Sequence, residues 1–231
     1  MDETLYRQLA AERALNYVEN GMTLGLGTGS TAFCMLRELA ARLDDGRLRH
    51  IVGVPTSERT AVLARELGIP LTTLDQHPSL DLALDGADEV DRHLRLIKGL
   101  GGALLREKIV AASAERFIVM ASFSKRVEQL GERSPLPVEV VAFGVPLCMR
   151  RLAALGGEPM LRRDHTGAPF VTDEGHLILD CHFGVIADPE GLAAAICTIP
   201  GVVAHGLFLG MASLAVIAGP DGITELCADG L

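Results

Sequence analysis

Met22-Thr23-Leu24-Gly25-Leu26-Gly27-Thr28-Gly29-Ser30-Thr31-Ala32 carries the architecture in miniature. Its first five residues are short, apolar and β-prone, which predicts a buried strand over 22–26. A glycine loop follows at once, and residues 32–40 continue with helical spacing. A strand feeding a glycine loop and then a helix is the elementary unit of an open α/β sheet. It also presents backbone N–H groups and a helix N-terminus to an anion. Thr28, Gly29, Ser30 and Thr31 are therefore candidate anion ligands. The full GxGxxG pattern is broken by Ser30, no Walker lysine is present, and no acidic ribose ligand lies about twenty residues on. A monophosphate fits this loop better than a dinucleotide or a nucleoside triphosphate. The alternative is a tight βα turn whose helix is capped by Ser30 or Thr31.

The pattern repeats outward from this unit. An amphipathic helix is predicted over 5–19, ended by Asn20-Gly21. A second strand lies at 50–54, with Ser57 as the N-cap of a helix over 58–67. Short apolar runs at 71–74 and 81–84 predict two more strands, and the second delivers Asp85-Gly86-Ala87-Asp88 to its C-terminal end. A hairpin-like edge strand at 94–97 leads into Lys98-Gly99-Leu100-Gly101-Gly102, then a helix over 103–112 that contains Glu107, then a strand at 117–120. Asp85, Asp88, Lys98 and Glu107 brought together make a proton-transfer site, with a lysine to meet a developing oxyanion. Leu104, Ile109 and Val110 around Glu107 favour a desolvated carboxylate with a raised pKa, suited to a general base. The plain alternative is a turn with surface charges.

From about residue 132 the texture changes. Ser134-Pro135-Leu136-Pro137 marks a break. The following elements (strand 138–142, helix 146–154, strand 158–162, short runs at 170–171 and 177–180, helix 189–197) read as β-α-β-β-α. That order fits a small split-βαβ, ferredoxin-like unit. The fold expected is thus α/β, a Rossmann-like open sheet flanked by helices with a smaller inserted α/β domain. Residues 1–131 form the first part, 132–204 the insert, and 205–231 the return. The charge run Arg162-Arg163-Asp164-His165 reads as a solvated turn.

Composition bounds the function. With 231 residues and 48% hydrophobic content the chain can bury a sizeable core. A formal charge of −9 argues against nucleic acid or anionic membranes as partners. No apolar run reaches transmembrane length. The acidic start, with Asp2 and Glu3, lacks the basic region of a secretory signal. Five scattered cysteines without a CxxC pair point to a reducing, cytoplasmic setting, and no metal site is expected.

Four segments, in order and at matching spacing, then make the chain resemble the A-type ribose-5-phosphate isomerases over nearly its whole length. They are the loop 25–31, Asp85-Gly86-Ala87-Asp88-Glu89-Val90-Asp91, the run from Lys98 through Ala111, and Ser124-Lys125 with Leu136 to Val140. The resemblance implies interconversion of D-ribose 5-phosphate and D-ribulose 5-phosphate through a cis-enediolate, without a metal or organic cofactor. It implies Glu107 as catalytic base, with Asp85, Asp88 and Lys98 around the reacting carbons. Thr28, Gly29, Ser30, Thr31, Gly86, Ala87, Gly99, Leu100, Gly101 and Lys125 become substrate contacts. A homodimer is implied, with a homotetramer as the alternative. The sequence departs from the family pattern at Leu100, within the second glycine loop, and at Ser122, where aspartate is usual. Arg7 replaces a lysine, and Ala204-His205 a more polar pair. Two rival functions use the same residues differently: an acyl-CoA transferase with Glu107 as nucleophile, and a non-catalytic sugar-phosphate sensor.

Overall fold

Strand β1 (Thr23–Leu26) is buried at all four positions, which suits only the interior of a parallel sheet covered on both faces. In the computed structural model, which describes residues 3–227, β1 lies between β2 (Val52–Pro55) and β3 (Leu80–Gly86), parallel to both. The sheet continues through β6 (Ala114–Ser122) and β12 (Leu214–Gly219) to an antiparallel edge, β13 (Gly222–Cys227), in the order β13-β12-β6-β3-β1-β2. The chain leaves β1 towards β2 on one side and β3 on the other. Beyond the C-terminal ends of β1 and β3 there is therefore a crevice, the place where open α/β sheets bind ligands.

Helices cover both faces. On α2 (Ser30–Asp44), Met35, Leu36 and Leu39 are fully buried at helical spacing, each burial worth roughly 1.5–3 kcal/mol. Helix α1 (Glu3–Ala14) packs against α2 and the sheet, with Ala10, Ala11 and Ala14 buried in the same core. A 3₁₀ turn, Leu15–Tyr17, replaces the last turn of the longer helix expected from the sequence. Helix α3 (Glu58–Glu66) starts where predicted, the Ser57 hydroxyl accepting the Thr60 N–H at 3.1 Å. Helix α4 (Leu104–Ala112) follows the second glycine loop.

The second unit is built on its own antiparallel sheet. Strands β7 (Leu136–Val140), β8 (Glu158–Leu161), β9 (Leu177–His182) and β10 (Val202–His205) pair in the order β10-β7-β9-β8. Helix α5 (Val145–Ala154) joins β7 to β8, and α6 (Pro189–Cys197) joins β9 to β10. This βαββαβ succession is the ferredoxin-like arrangement. Its final strand, β10, was not anticipated: Val202-Val203 reads in sequence as the end of the unit, and it is the strand that closes it. A small third sheet, β11-β5-β4, ties the units together. It consists of β4 (Glu89–Val90), β5 (Leu96–Ile97) and β11 (Leu207–Phe208).

One expected strand is not there. Residues 71–74 contribute one bridge, Gly53 with Leu71, before the chain turns. The run is too short to hold a ladder without a longer partner. Residues 170–171 flank a turn as expected, with Val171 bridging Leu177 across it. The edge strand expected at 94–97 shrinks to its last two residues because Leu94 turns left-handed at φ 57°.

Candidate active site

Gly27 follows β1 directly and has no room for a side chain: a Cβ there would lie 2.2 Å from Asp85 Oδ1. The missing side chain lets the loop close over Asp85, at the end of β3. The Asp85 carboxylate accepts the N–H of Thr28 at 3.0 Å and of Gly86 at 2.7 Å through Oδ1. Its Oδ2 is 3.0 Å from Lys98 Nζ. Lys98 also donates to the Gly86 carbonyl at 2.5 Å and stands 3.4 Å from Glu107 Oε1. Asp85, Lys98 and Glu107 are all buried. The second carboxylate oxygen of Glu107, Oε2, is buried without a hydrogen-bond partner among the described residues.

Three charges in so little water reset one another. The pKa of Glu107 is raised to about 8: burial is the main cause, Lys98 opposes it and Asp85 adds to it. Asp85 is raised by the same desolvation, against the pull of Lys98. For Lys98 burial alone would favour the neutral amine, but Asp85 and then Glu107 outweigh it and hold the ammonium. The site thus keeps a charged lysine beside a carboxylate that can carry a proton near neutrality.

A cavity of about 100 Å³ opens beside this cluster. Glu107, Lys98, Asp88, Gly86, Ala87, Gly99 and Gly101 line it, together with Thr28, Gly29, Ser30, Thr31, Arg7 and Lys125. Asp85 is not in the lining and sits against Lys98. The first N–H groups of α2 have no intrahelical acceptor and share the cavity with Arg7 and Lys125, which makes the start of α2 an anion seat. Gly29 is the N-cap, at φ 107°, and no side chain caps the helix. The capping role considered for Ser30 or Thr31 is not used. The Thr28 hydroxyl is already occupied, within 2.7–2.9 Å of the Thr56, Ser57 and Thr60 hydroxyls, so its contribution is to hold the loop.

Leu100 is half-exposed and does not line the cavity. It is not among the residues with positive φ, whereas its neighbour Gly99 is, at 109°. The leucine therefore costs no left-handed strain. Its N–H donates to Asp88 Oδ2 at 2.9 Å. Ser122 is buried at the end of β6, and its hydroxyl binds Glu3 Oε1, which also accepts from Ser124 at 2.8 Å and lies 3.7 Å from Arg7. A carboxylate is thus still supplied next to Ser124-Lys125, from α1. The sequence reading missed Glu3; its i,i+4 spacing to Arg7 was the available signal. Arg162 was misread as well. Its guanidinium is largely buried and reaches the carbonyls of Gly99 and Leu100, so the run 162–165 is not simply a solvated turn.

A wider groove of about 630 Å³ runs between α3 and α4, past Arg65, Leu71 and Ile109. It holds no lysine and none of the buried carboxylates, and we do not place the chemistry there. Among the described residues no group of three or more His, Cys, Asp or Glu side chains is set to hold a metal ion, and no helix is long and apolar enough to cross a membrane.

Comparison with known proteins converges on one family. The family model described as ribose 5-phosphate isomerase A (phosphoriboisomerase A) matches residues 52–222. A ribose-5-phosphate isomerase A from Roseiflexus castenholzii is 84% identical over 230 residues, covering 99% of this chain and 98% of that one. A solved D-ribose-5-phosphate isomerase in complex with phospho-erythronic acid superposes with a TM-score of 0.95 at 38% identity, covering 98% and 100% of the two chains. The enzyme from Methanocaldococcus jannaschii gives 0.93 at 39%, again covering 98% and 100%. With its crevice, its carboxylate–lysine cluster and these matches along its length, this chain belongs to the ribose 5-phosphate isomerase A family.

Proposed function

We propose that Glu107 carries the proton in an aldose–ketose isomerisation that interconverts D-ribose 5-phosphate and D-ribulose 5-phosphate. The activity is that of the family; the assignment of roles to residues is our reading. The observation that carries it is the unpartnered Glu107 oxygen, buried at the cavity wall beside a charged lysine.

The phosphate binds across the first turn of α2, with Arg7 and Lys125 as counter-charges, and Gly29, Ser30 and Thr31 supply the contacts. Binding energy gathered there is remote from the reaction and orients C1 and C2. Asp88, which lines the cavity, passes a proton between the ring oxygen and the anomeric hydroxyl as the sugar opens, while Asp85, its oxygens taken by Thr28, Gly86 and Lys98, holds the lysine in place. Glu107 then takes the proton from C2, leaving the electron pair in a cis-enediolate whose charge gathers on O1. It returns the proton to C1 while the O2 proton passes to O1, giving the neutral ketose. Lys98 and the N–H groups of Gly99 and Gly101 stabilise the oxyanion, one such donor typically being worth about 3–4 kcal/mol, while the Leu100 N–H is held by Asp88. Gly86 and Ala87 form the wall between the two aspartates. No step calls on a cofactor.

The partner is a phosphorylated five-carbon sugar, and the setting is the cytoplasm. The working form is a homodimer, with a homotetramer as the alternative. Purified chain should convert ribose 5-phosphate to ribulose 5-phosphate with EDTA present, and accept unphosphorylated ribose at least about a thousandfold less efficiently in kcat/KM. No conversion, with the phosphosugar still bound, would favour the sensor reading. Equal use of ribose would remove the phosphate seat.

A further inference from the structure

The loop 98–102 holds the proposed oxyanion donors, yet glycines supply little rigidity of their own. Arg162, just after β8, reaches it from the inserted unit. Its Nε and Nη2 grip the two oxygens of Asp180 on β9 at 2.9 and 2.5 Å, a forked pair that fixes the guanidinium plane. Its remaining nitrogen, Nη1, donates to the Gly99 carbonyl at 2.9 Å and the Leu100 carbonyl at 3.2 Å. The Phe170 ring lies under the guanidinium at 5.8 Å and fills the space over Gly102, where a Cβ would lie 2.4 Å from the ring.

A trans peptide points its N–H opposite to its C=O. With the Gly99 carbonyl on Arg162, the Leu100 N–H must face the other way, and it does, onto Asp88 Oδ2 at 2.9 Å. The same rule applied to the Leu100 carbonyl turns the Gly101 N–H away from Arg162, towards the cavity that Gly101 lines. We propose that Arg162, clamped by Asp180, is a positioning residue that aims the Gly101 N–H at the developing oxyanion. This rests on the isomerase reading, and it makes the inserted unit part of the catalytic geometry as well as of the fold.

The test combines turnover with ligand binding. Arg162→Met should lower kcat for ribose 5-phosphate about tenfold or more while KM stays within about threefold, because only a transition-state contact is lost. Arg162→Lys should recover little, since an ammonium cannot fork across Asp180 and two carbonyls. Free guanidinium ion at low millimolar concentration should restore part of the activity of Arg162→Ala. A four-carbon phosphorylated sugar acid, whose carboxylate stands in for the enediolate, should bind Arg162→Met about tenfold more weakly, with inorganic phosphate affinity unchanged. Unchanged kcat and analogue affinity in a folded Arg162→Met would overturn the proposal, as would an equal loss of phosphate binding. Should the parent chain itself fail to turn over ribose 5-phosphate, the isomerase reading falls, and analogue affinity alone still judges Arg162.

Discussion

Glu107 and Lys108 are adjacent on α4 and meet opposite surroundings. Glu107 turns to the cavity. Lys108 turns away, donating to the carbonyls of His205 and Leu207 at 2.6 and 2.7 Å and latching the chain as it returns from the insert. Burial acts on both: it raises the carboxylate to about 8 and lowers the ammonium to about 8. For Glu107 the folded chain holds its proton more tightly than the unfolded chain, whose ordinary value is 4.5. The stabilising contribution is therefore full below about 4.5 and is lost as pH rises towards 8. Glutamine carries no such titration, so the melting temperature of Glu107→Gln should gain on the parent between pH 5 and pH 8.5. A constant gap would show that the carboxylate is not desolvated. The base must be ionised to act, so kcat/KM in the parent should rise with pH through a limb near 8. A limb near 4.5 would contradict the burial argument.

At the scale of elements, the site depends on two loops meeting at the ends of β1 and β3. Gly27→Ala puts a methyl group 2.2 Å from Asp85 Oδ1 and 2.6 Å from its Cα, a clash with backbone that no rotamer relieves. It should cost about 1–3 kcal/mol in denaturant unfolding and lower kcat more than it changes KM. A variant as stable and active as the parent would show that the close approach is not needed. The strand–glycine loop–helix units were legible in sequence because each is local: a short apolar run, a glycine turn, then helical spacing. Ser57 as a cap was legible for the same reason. The apolar run 71–74 looked the same but found no ladder, since pairing is decided by partners distant in sequence. The Thr28 hydroxyl was also misjudged, because the three hydroxyls that claim it arrive 28 to 32 residues later.

At the scale of the molecule, the chain carries a net charge of −9 yet gathers Arg7, Lys98 and Lys125 around one cavity. Charge averaged over a sequence says nothing about such a local inversion. The βαββα order of the insert could be read, but its grip on the second glycine loop through Arg162 could not. Charge runs usually face water, and only the packing of β8 and β9 turns this arginine inward. The surface also carries Phe143, wholly exposed just beyond β7, with Val141 and Val203 half-exposed nearby. A patch of this kind suits contact with a second copy. Sedimentation should give a dimer or tetramer that Phe143→Asp shifts towards monomer; a variant that assembles like the parent would place the contact elsewhere. The proposed role of Glu107 is to move the proton between C2 and C1. It is tested most directly by kcat of Glu107→Gln beside calorimetric binding of ribose 5-phosphate. A loss of about a thousandfold or more in kcat is expected, with binding within a few-fold of the parent. Turnover within about tenfold of the parent would contradict it.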